Sequence, residues 1–255
     1  MAFRGPVENI VNETLQNSEP AVPSLRTSAT VVIPCYNAGH RVRGVAEGAL
    51  EAVERVIVVD DGSTDGAVQG LLDLPVATIR FDRNRGKGAA LLAGFKAALE
   101  RPEAACVLVV DADGQHDPRE IPALYEAFVR QEADLVIGAR TFDQRIVPWR
   151  SRFGNRLTVA VTGRLFGHRL PDTQSGFRLL SRSFAASVIE SVPEGRYETE
   201  MAIILKAIRE KRRIVSVPIR TLYESGNASS HFRKIRDSLR IYRVLLGAAL
   251  RRKTD

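Results

Sequence analysis

The chain has 255 residues, 44% hydrophobic and 26% charged, with two cysteines and a formal net charge of +7. That balance excludes a disordered chain and a disulfide framework, and it fits one large domain or two small ones. The longest apolar run near the end, Val244 to Leu250, is far short of the roughly 20 residues that span a bilayer.

Residues 1–28 are polar, with scattered prolines and no steady period. They lack the apolar core of a secretory signal and read as a loosely ordered extension. Thr30-Val31-Val32-Ile33 predicts a first strand that stops at Pro34. Helical spacing runs over 38–53, and Val56-Ile57-Val58-Val59 predicts a second strand ending in Asp60-Asp61-Gly62-Ser63. Val76–Phe81 reads as strand three, Gly88–Leu99 as a helix and Cys106–Val110 as strand four. Pro118–Gln131 reads as a helix with proline in its first turn, and Leu135-Val136-Ile137 as strand five. Cys35 and Cys106 lie in apolar contexts and read as small buried hydrophobes in a reducing compartment. Strands alternating with helices predict an α/β fold, a mostly parallel central sheet with helices on both faces.

The order is less regular beyond residue 140. A helix is expected at Arg150–Phe166, a strand at Phe177–Ser181, a helix at Glu200–Glu210 and a strand at Ile214–Thr221 interrupted by Pro218. The last helix is expected from Phe232 to about Leu250, with one apolar stripe formed by Phe232, Ile235, Leu239, Tyr242, Leu246 and Ala249. Residues 231–255 hold eight Lys and Arg against two Asp, nearly the whole charge excess. That segment reads either as a terminal helix docked on the core or as an interfacial helix facing anionic lipid. The expected division is therefore an extension over 1–28, a catalytic domain over 29–230 and a basic amphipathic helix over 231–255.

Three strand ends are rich in acids or turn residues and should share the ligand edge of the sheet. In Val107-Leu108-Val109-Val110-Asp111-Ala112-Asp113 an apolar run ends in two acids spaced by one residue. Two converging carboxylates repel each other unless a cation lies between them, and hard oxygen ligands suit Mg2+ or Mn2+ carrying substrate phosphates. Asp60-Asp61 at the second strand end suits hydrogen bonds to ribose or a base; equally, Asp61 to Asp65 suits a turn with a helix cap. Asn84-Arg85-Gly86-Lys87-Gly88 looks like a phosphate cradle with a lysine and a helix N-terminus. It has neither Walker A spacing nor the position of a dinucleotide fingerprint.

Taken together, Val32-Ile33-Pro34-Cys35-Tyr36-Asn37, Val58 to Asp65, Asn84 to Ala89 and Asp111 to His116 resemble family 2 glycosyltransferases of the GT-A fold, over roughly residues 29–225. More narrowly, Asp111 to Pro118, Asp172-Thr173-Gln174-Ser175-Gly176-Phe177-Arg178 and Tyr197-Glu198-Thr199-Glu200 are similar to dolichyl- or polyprenyl-phosphate sugar synthases. The resemblance implies an inverting, metal-dependent transfer from a UDP- or GDP-sugar to a polyprenyl phosphate. The alternative is transfer to a hydroxyl of a glycan, glycolipid or protein. It implies that Pro34, Tyr36 and Asn37 line the nucleotide pocket, Asp61 holds base or ribose, and Lys87 lies near the nucleotide. Asp111 is implied at ribose or metal, and Asp113 and Gln115 at the Mg2+ or Mn2+ ion. Ser175, Gly176 and Arg178 are implied to shape the sugar and acceptor-phosphate region, and Glu198 and Glu200 to hold the acceptor or act as base.

A phosphate acceptor is already an anionic nucleophile, so it needs cations rather than a base; Arg178, Arg233 and Arg236 are the candidates. The QxxRW motif of processive polysaccharide synthases is missing, and so are the transmembrane helices of several lipid-phosphate sugar synthases. Membrane contact then falls to the basic tail, at the cytoplasmic face of the membrane. The aromatic platforms of single-strand binders are lacking, so no nucleic-acid partner is expected.

Overall fold

The computed structural model describes residues 24–140, 163, 170–196 and 198–220. The expected helices at Arg150–Phe166 and in the tail, with Arg233 and Arg236, lie outside the described residues, as does most of the N-terminal extension. The described elements are α1 (Leu25–Ser28), β1 (Ala29–Cys35), α2 (Arg41–Ala52), β2 (Arg55–Asp60), β3 (Ala77–Arg80), α3 (Lys87–Leu99) and β4 (Cys106–Val109). They continue with α4 (Ile121–Arg130), β5 (Leu135–Arg140), β6 (Arg178–Ser181), α5 (Arg182–Ser191), α6 (Glu198–Arg209) and β7 (Ile214–Ile219).

The seven strands form one sheet in the order β3-β2-β1-β4-β6-β5-β7. β1, β2, β3 and β4 pair in parallel, as do β5 and β7. β6 runs antiparallel to both of its neighbours. The sheet is therefore mostly parallel, as the alternation predicts. β1, β2 and β4 are runs of β-branched and apolar residues because both of their faces are covered. Alternation splits them cleanly. Val31, Ile33, Val56, Val58 and Leu108 face one core with α2 and α4, built on Val42, Val45, Ala49, Ile121 and Leu124. Val32, Ile57, Val59, Val107 and Val109 face the other with α3, α5 and α6, built on Leu91, Phe95, Phe184, Val188 and Ile204. Each such buried side chain contributes about 1.5–3 kcal/mol relative to exposure. Cys35 and Cys106 are buried free thiols, and burial pushes each up to about 12.

Three local expectations are corrected. Residues 25–28, assigned to the extension, form a helical turn tied to the core: Ser28 O accepts from Ala105 N at 2.7 Å, and Ser28 Oγ meets the Tyr125 hydroxyl at 2.7 Å. The first strand does not stop at Pro34 but runs on to Cys35, with Pro34 opposite Val59. On its other side β1 pairs with β4 only as far as Val32, so the missing proline N–H breaks no ladder there. Pro218 likewise sits within β7, which among the described residues is an edge strand paired only with β5.

Candidate active site

All the parallel strands deliver their carboxyl ends to one edge. β6 runs the other way, so the loop ahead of it, residues 172–177, arrives at that same edge. The site assembles here from β1, β2, β4 and β5, the start of α3, the loop before β6 and the start of α6.

At the carboxyl end of β2, Asp61 is 2% exposed. Its Oδ1 accepts from Arg85 N at 2.6 Å, and its Oδ2 from Gly86 N and Asn84 Nδ2, both at 2.9 Å. Burial raises its pKa, and the amides of Arg85 and Gly86 oppose the rise. The phosphate-cradle reading of the glycine-rich turn is corrected by this geometry. Its amides serve the protein's own acceptors, with Asp61 standing where an external anion would, and Gly88 N donating to Gly195 O at 2.9 Å. An ionised carboxylate offers about four acceptor positions, and three are used here. The turn-forming alternative belongs to the flanking acids: Asp60 Oδ1 accepts from Ser63 N, and Asp65 Oδ1 from Ala67 N. Asn37 has φ +48° and braces that turn, accepting from Thr64 N and taking Ser63 Oγ as its own amide's acceptor. Beside it Tyr36 is 36% exposed at the mouth.

Gly86, Lys87 and Gly88 bring the glycine-rich turn against the start of α6. A Cβ on Gly88 would lie 2.0 Å from Thr199 Oγ1, and one on Gly86 would lie 2.7 Å from Gly195 O. Glycine lets backbone pack on backbone here. The contact places Lys87 Nζ 2.6 Å from Asp111 Oδ1 and 3.1 Å from Glu200 Oε1. Burial, the largest influence, would raise the Asp111 carboxyl, but its positive neighbours, Lys87 first among them, together outweigh it and hold the group below its usual range.

β4 ends at Val109, so Asp111 and Asp113 do not converge by strand alternation. Both stand in the turn after the strand, near enough for the charge of Asp111 to act on Asp113; Gly114 follows at φ +74°, and Asp113 Oδ1 accepts from Gln115 N at 3.0 Å. Burial, and then the charge of Asp111, push the Asp113 carboxyl up. Asp113 is thus short of positive charge, which is the condition a divalent ion would relieve. Among the described residues no three His, Cys, Asp or Glu are grouped to hold an ion. An ion held by one or two carboxylates plus substrate phosphates needs no such group, so the residues fit Mg2+ or Mn2+ on those terms. His116 is 4% exposed, lies 5.6 Å from the Phe177 ring, and burial lowers its pKa to about 4. It packs beneath the turn as a neutral ring.

The expected acceptor contacts of Ser175 and Arg178 are corrected to positioning ones. Both are buried, at 0% and 2% exposure. Arg178 donates to Ser175 O at 2.8 Å, Thr173 O at 3.1 Å and Glu200 O at 2.7 Å. Ser175 Oγ accepts from Phe177 N. The guanidinium therefore fastens the loop before β6 to the first turn of α6. Gly176 lies under Asp111, where a Cβ would be 2.2 Å from Oδ2. Glu198 Oε2 and Thr199 Oγ1 are buried without a hydrogen-bond partner among the described residues.

Sequence reasoning gave no role to Arg140, the last residue of β5. Its guanidinium reaches Asp172 Oδ2 at 2.6 Å and Oδ1 at 3.1 Å. Asp172 is 0% exposed. The available signal was a charged residue closing an apolar strand at the ligand edge.

Comparison with known proteins agrees with this geometry. Residues 30–188 match the family described as Glycosyl transferase family 2. Polyprenol monophosphomannose synthase of Mycolicibacterium smegmatis is 31% identical over 79% of this chain and 80% of its own length. UDP-N-acetylglucosamine–dolichyl-phosphate N-acetylglucosaminyltransferase of Methanococcus voltae is 28% identical over 76% and 85%. Glucosyl-3-phosphoglycerate synthase of Mycobacterium tuberculosis, solved with Mn2+, UDP and glucosyl-3-phosphoglycerate, superposes with a TM-score of 0.67 at 19% identity over 90% of this chain and 82% of that one. The sheet, its covering helices and that likeness define a GT-A fold, and the chain belongs to glycosyl transferase family 2 as a glycosyltransferase.

Proposed function

We propose that the enzyme moves a sugar from a UDP- or GDP-sugar to a polyprenyl phosphate, with a divalent cation at Asp111 and Asp113. The carrying observation is the half-buried Asp111–Asp113 pair at the carboxyl edge, in a chain whose relatives are named for transfer to dolichyl phosphate and for polyprenol monophosphomannose synthesis. The bound Mn2+ and UDP of the structural neighbour support the donor class.

In this reading Pro34, Tyr36, Asn37 and Asp61 frame the nucleoside, with the remaining acceptor position of Asp61 toward the base. Asp111 and Asp113, with Gln115 beside them, hold Mg2+ or Mn2+, which when bound stabilises negative charge on the departing diphosphate. Lys87 adds an ammonium beside the same charge. Arg178 and Gly176 fix the loop against which sugar and acceptor phosphate lie, and Arg233 and Arg236 remain candidates for that phosphate. No base is required, because the attacking phosphate oxygen is already anionic. No described helix is long and apolar enough to cross a membrane, so contact with the cytoplasmic membrane face is assigned to the basic tail.

A hydroxyl acceptor is the second reading, favoured by the unpartnered buried Glu198 Oε2. Glu200 is engaged by Lys87, which leaves Glu198 the better placed general base. The deciding experiment is radiolabelled transfer from a panel of UDP- and GDP-sugars to short-chain polyprenyl phosphate, with Mn2+, Mg2+ or chelator. A metal-dependent product extracted into organic solvent is the expected result. Donor hydrolysis without lipid product would move the acceptor to a hydroxyl.

A further inference from the structure

The cluster at the carboxyl edge already contains a cation. Lys87 has only 15% of its side chain exposed, and its Nζ touches carboxylates from two other segments, Asp111 after β4 and Glu200 on α6. It has little freedom to swing away. Gly88 packs on Thr199, and Gly88 N is bonded to Gly195 O, so the root of the lysine is pinned to the element that carries Glu200. Arg178 adds a second buried positive charge beneath Glu200, and Arg140 is committed to Asp172. Among the described residues, Asp111, Asp113 and Glu200 thus lie about Lys87 and Arg178, so much of the negative charge an incoming divalent ion would meet is already answered by the protein's own cations. The Asp111 oxygen nearest Lys87 is already in an ion pair.

We propose that Lys87 withholds divalent cation from the Asp111–Asp113 pair until a nucleoside diphosphate arrives, so that ion and nucleotide are taken up together. The proposal rests on the metal-dependent reading above and assigns Lys87 a task within it. A nucleoside diphosphate brings two or more negative charges, which restores a favourable balance for the ion. Without it, ammonium and metal compete for one carboxylate in a part-buried site where charges are weakly screened.

The test is Mn2+ binding followed by the electron paramagnetic resonance signal of free Mn2+, in the full-length wild type, Lys87→Met and the charge-retaining Lys87→Arg. Each protein is titrated alone, with UDP and with GDP. Wild type is expected to bind Mn2+ at least about tenfold more tightly with one of the nucleotides than alone. Lys87→Met is expected to bind Mn2+ alone at least about tenfold more tightly than wild type, and Lys87→Arg to behave as wild type. Equal affinity of wild type with and without both nucleotides, while it does bind, overturns the proposal and leaves the metal site standing. So does a Lys87→Met protein that melts like wild type yet is unchanged in Mn2+ affinity. Failure of wild type to bind Mn2+ under every condition overturns the metal-dependent reading itself. The wild-type arm decides the proposal even if Lys87→Met does not fold.

Discussion

The two edges of the sheet are built from the same residue types and treat them differently. At the amino edge, Lys206 pairs with Glu210, Glu210 with Arg212 at 3.1 Å, and Arg212 with Asp134 at 3.2 Å. Asp134 also accepts from Arg213 N and Ser181 Oγ, while Arg182 donates to Leu99 O, Arg101 O and Ala104 O. That charged cluster is closed on itself, although Thr30 Oγ1 and Arg55 Nε, at the starts of β1 and β2, have no hydrogen-bond partner among the described residues. At the carboxyl edge Asp113 is pushed up by burial and a like charge, and Glu198 Oε2, Thr199 Oγ1 and His116 Nδ1 have no hydrogen-bond partner among the described residues. Unfulfilled polar groups are a cost to folding and a resource for binding. The difference lies in the carboxylates, matched by cations at the amino edge and crowded together at the carboxyl edge, as a cation-binding site requires.

The sharpest way to break the comparison is Asp113→Asn. Transfer is expected to fall on the order of a hundred- to a thousandfold, the scale of losing one group that stabilises developing charge. The melting temperature should hold or rise, because a carboxyl held in an unfavourable place is removed. A lowered melting temperature would show that Asp113 serves the fold. Next in size is Gly88→Ala, which drives a methyl toward Thr199 and Gly195 O. A stability loss of about 1–3 kcal/mol is expected from overpacking, together with weaker donor binding, read by thermal melts and KM. Lys206→Ala is the matching change at the amino edge. It should cost about 1–2 kcal/mol, between the exposed and buried limits for ion pairs, with transfer at 25 °C unchanged. A loss of activity at constant stability would erase the division between the edges.

The smallest effect concerns pH. Burial alone would raise Asp172, but Arg140 and the hydrogen bonds of its neighbours outweigh it and hold the carboxyl below the usual range. With the folded-state pKa depressed, the unfolded chain takes up the proton first as pH falls. Asp172 therefore contributes stability above the ordinary carboxylate pKa of 3.8, and that contribution is lost as pH falls through the lower folded-state value. The gap in melting temperature between wild type and Asp172→Asn should be present at neutral pH and shrink below about pH 4. A gap that does not change with pH would refute the ion-pair account.

Much of the fold was legible because β1, β2 and β4 announce themselves as apolar runs and α3 as a periodic one. The parallel alternation and the ligand edge follow from those alone. Helix α5 was missed. Ser181 caps it, accepting from Phe184 N immediately after β6, and serines 183, 187 and 191 dilute the apolar face of Phe184, Ala185 and Val188. Pro34 and Pro218 looked like breaks because the sequence does not say which strand flank is unpaired. In the site, Asp111 and Asp113 were readable as a pair. Lys87 with Glu200, Arg178 with Glu200 O and Arg140 with Asp172 join residues far apart in the chain, so their roles emerged only when the sheet set its order.

Arg140 closes β5 and Asp172 opens the return toward β6, and the two are clasped by an ion pair. Gly176 beneath Asp111 and Arg178 beneath Glu200 follow in the same loop. That loop is therefore tethered twice, at its start by Asp172 to the end of β5 and at its end by Arg178 to the first turn of α6. One side of the site is held as a bracket between two elements, and loosening either tether would be felt at the carboxylates it supports.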